Sequence, residues 1–532
     1  MPRNIVEPKT KLTVIAGCFT VVIFSMSFLA ASYPEGWTAK PLTSLPKELH
    51  EAPSIAVYEK NIHVVWNTWH NEFDSKIYYR HSLDNGKTWS EPVCLTPNST
   101  TAIYPVVAVN ATIVHVAWKD YRNGNPEIYY RRSVDNGQSW SEVQRITYNS
   151  SRKNNIYDVG IVVDGSNVYL VWKDYRSGSS EVFFKKSVDN GESWGSDQRL
   201  TYDYTPSYAP CMAVNGENIY IAWEDWGHRS NICFMKSSNA GVNWTEKIFL
   251  TENVTAGDSE HPSLAVWENK VYLVWQDTRT GNSEIYFKKS IDYGESWNET
   301  RRITDNTTVR FNPKIGVYGE RLVIVGQGKE EGRFIIWYMT SDDGGENWSD
   351  PVKLTDGEVD AYDTSMFIQS YDIYVVWQKY YEAGWADIWF MSRSSGKPVV
   401  TSILLSNTSV SLPAVVDVTV DGFDPTYDKK ELTCIVQYKS PSGSWNNVHS
   451  EFTGEEWEAH IDFSIDFSSG GCLVRAKLIN PEGIESEWSV YKTVELHGED
   501  SDSSVPSFTL PLMTFVLLAV IILIRVRDHE EK

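Results

Sequence analysis

Six cysteines in 532 residues are too few for a disulfide framework, and no His/Cys cluster has the spacing of metal ligands. Neither a metal nor another cofactor is therefore expected. Basic residues are in deficit, 48 Lys and Arg against 70 Asp and Glu, for a formal charge of −22. A chain this acidic lacks the basic stripe of a nucleic-acid binder. Between residues 37 and 497 no stretch shows a helical apolar period, which excludes helix bundles and alternating α/β folds. Long uncharged runs are also missing there and occur only at the two ends.

What the sequence does have is a repeat. The turn Ser-x-Asp-x-Gly-x-x-Trp begins at Ser82, Ser133, Ser187, Ser237, Ser290 and Ser341, so the steps are 51, 54, 50, 53 and 51 residues. The short polar side chains can hydrogen-bond back to turn amides, Gly supplies a positive φ, and Trp leaves a large apolar plug. Asp84, Asp135, Asp189, Asp292 and Asp343 hold the acidic position; Asn239 replaces it in the fourth copy. A period near 50 marks units that need neighbours to bury their faces.

Each unit reads as four strands. A short apolar run is followed by a second ending in Trp66, Trp118, Trp172, Trp223, Trp275 or Trp377, with Gly326 in the sixth copy. An aromatic third run precedes the turn and a fourth follows it. Strand-length runs bounded by turn residues and repeated radially predict an all-β propeller. The first three strands recur seven times, the last from Thr364 to Ser392, but that unit lacks its turn. Trp37-Thr-Ala-Lys-Pro resembles Trp89-Ser-Glu-Pro, so the N-terminal strand is expected to complete it and remove the open sheet edges. A seven-bladed ring is expected, with six blades the alternative.

The rest of the chain divides by composition. Residues 397–497 alternate as short strands and suggest a β-sandwich of immunoglobulin or fibronectin type, in which Cys434 and Cys472 are candidates for a bridge. Leu12 to Ala31 is uncharged and follows Arg3, Lys9 and Lys11; it reads as a signal anchor or signal peptide. Phe508 to Ile524 is apolar and precedes Arg525 and Arg527. The basic flanks place both tips in the cytoplasm and the bulk outside the cell. The expected order is a tip (1–11), anchor or signal (12–31), propeller (37–396), sandwich (397–497), linker (498–505), transmembrane segment (508–524) and tail (525–532). Nine Asn-x-Ser/Thr sequons, Asn110 and Asn347 among them, agree with export.

The repeated turn is the Asp-box, and residues 37–396 resemble the sialidase-like Asp-box propellers, the bacterial neuraminidase repeat proteins. The resemblance implies boxes that are structural and lie opposite the functional face. It also implies, for true sialidases, three arginines clamping a carboxylate, the first two residues before a Pro. Here that column reads Glu51, Ile103, Tyr157, Tyr208, Glu260, Phe311 and Tyr362, and Glu51 and Glu260 reverse the charge. Arginines do occur in Asp120/Arg122, Asp174/Arg176 and Asp277/Arg279 loops, which read as braces of their own turns.

Function is therefore sought where the repeat breaks. The second-to-third-strand loops depart from the pattern at Trp69, His70 and Glu72, at Trp226 and His228, at Lys329, Glu330, Glu331 and Arg333, and at Tyr380, Tyr381, Glu382 and Trp385. Aromatic plates with convergent polar groups make a binding site. Glu330, Glu331 and Glu382 are candidate catalytic carboxylates. Tyr104, Asp158, Tyr208, His261 and Asp363, where the first strands begin, form a second candidate set around the central tunnel. The expectation is a membrane-tethered, non-catalytic cell-surface protein that binds a glycan or a protein; the alternative is a sialidase-like glycoside hydrolase.

Overall fold

The structure is a computed structural model that describes residues 33–497, apart from 35, 44–47, 149–156, 252–256, 306, 382–383, 398, 425–428, 441–442, 464–469, 482–483 and 487. The expected tips, apolar end segments, linker, Glu382 and the sequons Asn149, Asn253 and Asn306 lie outside the described residues. Among the described residues no helix is long and apolar enough to cross a membrane. Helix is limited there to one 3-10 turn, Lys429–Glu431.

Seven groups of four antiparallel strands succeed one another along the chain, two of them joined in one eight-stranded sheet, and such four-stranded groups are consistent with propeller blades. The first group is Leu49–Tyr58, Asn61–Asn71, Asp74–Ser82 and Val93–Cys94; the others follow it in order. In the seventh, Asp360–Gln369, Asp372–Tyr381 and Trp385–Arg393 are completed by Trp37–Pro41, which pairs antiparallel with Trp385–Arg393, Trp37 opposite Arg393. A single parallel bridge, Leu49 to Ala386, joins the seventh group to the first. First strands lie beside one another around the ring, and Asp360–Gln369 lies beside Leu49–Tyr58.

Second strands are apolar on both faces because each is sandwiched between neighbouring sheets; Lys270–Asp277, for example, is buried over all but its first residue. Their tryptophans stack on the residue opposite, as Trp66 does on Tyr78 with centroids 6.1 Å apart. The sixth sheet reverses the arrangement. Gly326 faces Trp337, and a Cβ on Gly326 would come within 2.7 Å of that indole. The large ring has moved to the partner strand, and the volume is conserved.

The boxes fold as their residue types require. Ser82 donates to Asp84 at 2.8 Å and accepts from Gly86 N at 2.8 Å, while Asp84 accepts from Thr88 N at 2.8 Å. Asn239 reproduces this with its amide oxygen, accepting from Asn243 N at 2.8 Å. Hydrogen bonds from Ser139, Ser133 and the Ser139 amide hold Asp135 down at about 2. In the sixth box Asn347 donates its side-chain amide to Asp343 at 2.7 Å, so that sequon nitrogen is already engaged.

Each box Trp packs edge-on against an aromatic on the third strand of the preceding sheet. Trp140 meets Tyr79 at 4.8 Å, Trp348 meets Phe287 at 5.4 Å, and Trp89 meets Phe390 at 5.0 Å. At the junction without a box, Trp37 meets Tyr338 at 5.0 Å and 68°. The first residue of the closing strand thus takes the place of the missing box tryptophan.

Beyond the ring, two sheets share one core. One contains Val399–Leu405, Ala414–Phe423, Ser450–Phe452 and Trp457–Phe463; the other contains Thr433–Lys439, Gly470–Ile479 and Lys492–His497. Trp457–Phe463 alternates buried and exposed residues without exception. The expected Cys434–Cys472 bridge is absent and both thiols are free. Cys434 pairs with Leu478, six residues along the strand from Cys472, which separates them by roughly 20 Å. Among the propeller cysteines only Cys233 is fully buried; Cys94 and Cys211 are half-buried.

Candidate binding site at the centre of the ring

All seven first strands carry a bulge of the same design. The register shifts at Glu51/Ser54, Ile103/Val106 and their counterparts, where one residue adopts a left-handed backbone: Ala52, Tyr104, Asp158, Ala209, His261, Asn312 and Asp363, with φ between 45° and 54°. Such non-glycine residues cost on the order of 1 kcal/mol or more each. A sevenfold occurrence points to the scaffold rather than to chemistry.

The bulge is held from the neighbouring sheet by the residue after the second-strand tryptophan. Asn67 accepts from Tyr104 N at 3.2 Å, Glu224 from His261 N at 2.7 Å, and Gln276 from Asn312 N at 2.9 Å. In the second and third sheets that position is Lys119 and Lys173, which have no acceptor to offer. Asp158 substitutes: its carboxylate accepts from Ala209 N at 3.3 Å and pairs with Lys173 Nζ at 2.8 Å. Two lysines and a carboxylate therefore occupy the sector where an acceptor side chain would complete the pattern.

Aromatic rings surround that sector. Lys173 lies over Tyr208 at 4.8 Å, Tyr208 meets Trp226 edge-on at 5.6 Å, and Trp226 donates to Glu224 at 2.9 Å. Tyr104 and Trp226 are 50% and 44% exposed, large for aromatic rings in a folded domain. A cavity of about 300 Å³ is lined by Asp158, Ala209, Cys211, His261, Asn312 and Lys314.

The ionisable groups are perturbed together. Burial and Lys173 push the Lys119 amine down to about 8, against the pull of Asp158. Burial and Lys314 lower His261, while burial lowers Lys314 itself. A hydrogen bond with Tyr175, then burial, raises Tyr208 to about 12. Glu224 is raised by burial, Glu260 by burial and by Glu224, and Asp363 by burial and Glu51.

The structure thus brings together Asp158, Tyr208, Trp226 and His261 from the sequence-based candidates, while Tyr104 takes the equivalent bulge position on the second sheet. Tyr208 is displaced from its expected place: the left-handed residue is Ala209, and Tyr208 pairs with Glu224 one position earlier. His228 is exposed on the adjoining loop. Asp363 belongs to the same ring of bulges, on the seventh sheet.

The sector of sheets six, seven and one is arranged differently from its expected carboxylate cluster. Glu330 is neutralised between Arg310 at 3.4 Å and Lys353 at 3.8 Å, and Glu331 is an exposed left-handed turn residue. Lys329 lies over Phe334 at 5.3 Å, and Arg333 is 3.9 Å from Asp360. Tyr381 and Trp385 stack on each other at 4.0 Å, and Tyr380 meets Tyr362 at 6.2 Å. Trp69 donates to Glu51 at 2.7 Å, His70 contacts Tyr78 and Glu48, and Glu72 is exposed. These aromatics are largely occupied with neighbours.

The Asp–Arg loops are braces. Asp120, Asp174 and Asp277 are fully buried, each bonded to its own Trp and to its own Arg amide. Lys119, Lys173, Glu224, Cys211, Asn312 and Lys314 were not among the sequence-based candidates. Their signal was present in the columns Asn67, Lys119, Lys173, Glu224, Gln276 and Ser54, Val106, Gly160, Cys211, Ser263, Lys314, where charge breaks the repeat. Among the described residues no group of three or more His, Cys, Asp or Glu could hold a metal ion.

Residues 53–273 match the family model of the BNR repeat-like domain. Among solved structures, the chain is similar to polysaccharide lyase Uly1, at 12% identity and a TM-score of 0.46 over 64% of this chain and 89% of that one. A Trypanosoma rangeli sialidase mutant displaying trans-sialidase activity matches at 11% identity and a TM-score of 0.42, over 89% and 94%. The α-L-arabinofuranosidase arb93a of Fusarium graminearum matches at 16% and 0.39, over 53% and 89%. No curated protein matches the chain.

Proposed function

We propose that this chain is a seven-bladed, membrane-anchored extracellular propeller whose central face binds carbohydrate without turning it over. The observation that carries the reading is the sector where lysines stand in place of a bulge-holding acceptor: Lys119 and Lys173 with Asp158, together with the exposed rings of Tyr104 and Trp226. Sugars present C–H faces to aromatic rings and hydroxyls to charged side chains, and this sector supplies both. The seven equivalent aromatic junctions support the blade number, and the two uncharged end segments with basic flanks support the anchoring. A glycan array probed with the full chain should give hits that weaken about tenfold or more for Trp226→Ala and Lys173→Met, in the range of hot-spot truncations. Undiminished binding by both variants would remove this face as the site.

A hydrolytic reading has one observation in its favour. Glu224 is raised by burial and Glu260 by burial and by Glu224, with His261 3.6 Å from Glu224. If they are an acid–base pair, a panel of aryl glycosides will be cleaved and Glu260→Gln will abolish cleavage. On the binding reading no glycoside is turned over, and Glu260→Gln leaves glycan affinity within about threefold.

A further inference from the structure

On the box side of the ring, the junction between the sixth and seventh sheets is unlike the other six. Trp37 replaces the missing aromatic plug, and a shorter turn follows the third strand, with Ser395 N donating to Asp372 at 2.6 Å and Gly396 N to the Ser394 hydroxyl at 3.3 Å. Elsewhere the box backbone accepts from the preceding sheet: Arg132 donates to Asn190 O at 2.8 Å, Lys236 to Tyr293 O at 2.8 Å, and Lys289 to Gly344 O at 3.0 Å. At this junction a cavity of about 610 Å³ lies beside that shorter turn, lined by Gly36, Glu320, Arg321, Tyr371, Arg393 and Lys397 among others.

Cations dominate that cavity. Arg321 and Lys397 both lie over Tyr371, at 5.3 and 4.2 Å. Arg393 donates to the Tyr338 phenol at 3.2 Å, and its Nε is 3.6 Å from where a Cβ on Gly36 would stand. Arg393 has no carboxylate within ion-pair distance among the described residues, and Arg321 Nε is buried without a hydrogen-bond partner. Arg321 pairs with Asp342 at 3.1 Å, but that carboxylate is 70% exposed; Glu320 is taken by Lys270. Three cations thus line one cavity, and Arg393 among them is left to be balanced by an anion from outside the described residues.

The cavity does not end there. Through Glu320 and Tyr371 it continues into a second space of about 800 Å³ between the ring and the sandwich. Trp267, Tyr318, Leu404, Trp488 and Val490 line it, and Leu404 and Val490 are 62% and 67% exposed. A cationic chamber opening into an apolar one matches a molecule with an anionic head and an apolar tail. Gly36 is five residues beyond Ala31, the end of the N-terminal apolar run, a reach of at most about 18 Å. We infer that the seam left by the missing seventh box binds an anionic lipid, the head group among Arg321, Arg393 and Lys397 and the acyl chains against Trp267, Tyr318 and Trp488. The choice of a lipid over another amphiphile rests on the anchoring proposed above.

Native mass spectrometry of the full chain equilibrated with phosphatidylglycerol or with phosphatidylcholine tests this. Phosphatidylglycerol should give a discrete adduct that phosphatidylcholine does not. Arg393→Gln should weaken the adduct about fivefold, and Arg393→Gln with Lys397→Gln roughly twentyfold or more, as expected for each basic residue removed near an anionic head group. Leu404→Ser with Val490→Ser, two exposed positions, should weaken it as well. Trp226→Ala, on the opposite face, should not, which separates this site from the glycan reading. Lipid held only around membrane segments would be indifferent to all these substitutions. The inference is overturned if the double Gln variant keeps its adduct, if both lipids bind alike, or if inorganic phosphate displaces the lipid at equal concentration. Membrane fractionation of cells tests the anchors independently.

Discussion

Replacing Trp37 by alanine is expected to lower the stability of the ring by about 3–5 kcal/mol, the usual cost of deleting a buried indole. Trp37 is 7% exposed and packs with Val325, Ile336, Tyr338, Trp377 and Met391, so one side chain touches both sheets at the seam. Its indole nitrogen has no hydrogen-bond partner, so truncation leaves no acceptor stranded and the loss is one of packing. Trp89→Ala makes the informative comparison. It removes the same edge-on contact, with Phe390 at 5.0 Å, from a ring whose closing strand is intact. Denaturant titration of the two variants should place the Trp37 midpoint lower. A Trp37→Ala midpoint within error of the parent would mean that closure does not depend on this residue.

Asp277→Ala should cost about 3 kcal/mol, the lower end for breaking a buried ion pair. The carboxylate is fully buried and accepts from Trp275 Nε1 at 3.0 Å, Ser259 at 2.7 Å, Arg279 N at 2.9 Å and the Arg279 guanidinium at 2.6 and 2.8 Å. Burial alone would raise its pKa, but the hydrogen bonds from Arg279, Ser259 and Trp275 outweigh it and the net shift is downward. A carboxyl depressed in the folded state contributes stability that is full above its unfolded value, near 4, and is lost as pH falls through the folded value. The parent should therefore lose stability below about pH 4 more steeply than Asp277→Asn. Parallel acid-unfolding curves for the two would show that this carboxylate is not the titrating group.

Much of the fold was legible because repetition makes weak local signals add. The six boxes, the second-strand tryptophans and the match between Trp37 and Trp89 each recur at the spacing the structure uses. The closing strand was legible for the same reason: Trp37-Thr-Ala-Lys-Pro carries the composition of a fourth strand far from any third one. Gly326 looked like a gap in the pattern, and only the facing strand showed that Trp337 had taken over its volume. Cys434 and Cys472 looked like a pair because both lie in alternating strands of one small domain. Register, which composition does not report, holds them apart.

The candidate site was legible in part. Tyr104, Asp158 and His261 stand out in sequence because they precede a regular column, and Asp158 and His261 line one cavity. The loops of sheets six, seven and one stood out equally, yet their aromatics stack on one another and Glu330 is held between two cations. Lys119 and Lys173 are not legible in the same way, because a lysine after a buried tryptophan reads as an ordinary surface charge. Their meaning depends on the acceptor that this position holds elsewhere, at Asn67, Glu224 and Gln276, and that relation exists only across sheets.

From sequence alone came the repeat length, the all-β class, the structural role of the boxes and the partner of the orphan seventh unit, because these depend on residue types at regular spacing. Tertiary structure alone decided which irregular residues meet, which carboxylates are already neutralised, and where the ring leaves a cavity. Those outcomes depend on contacts between residues tens to hundreds of positions apart, and no local pattern encodes them.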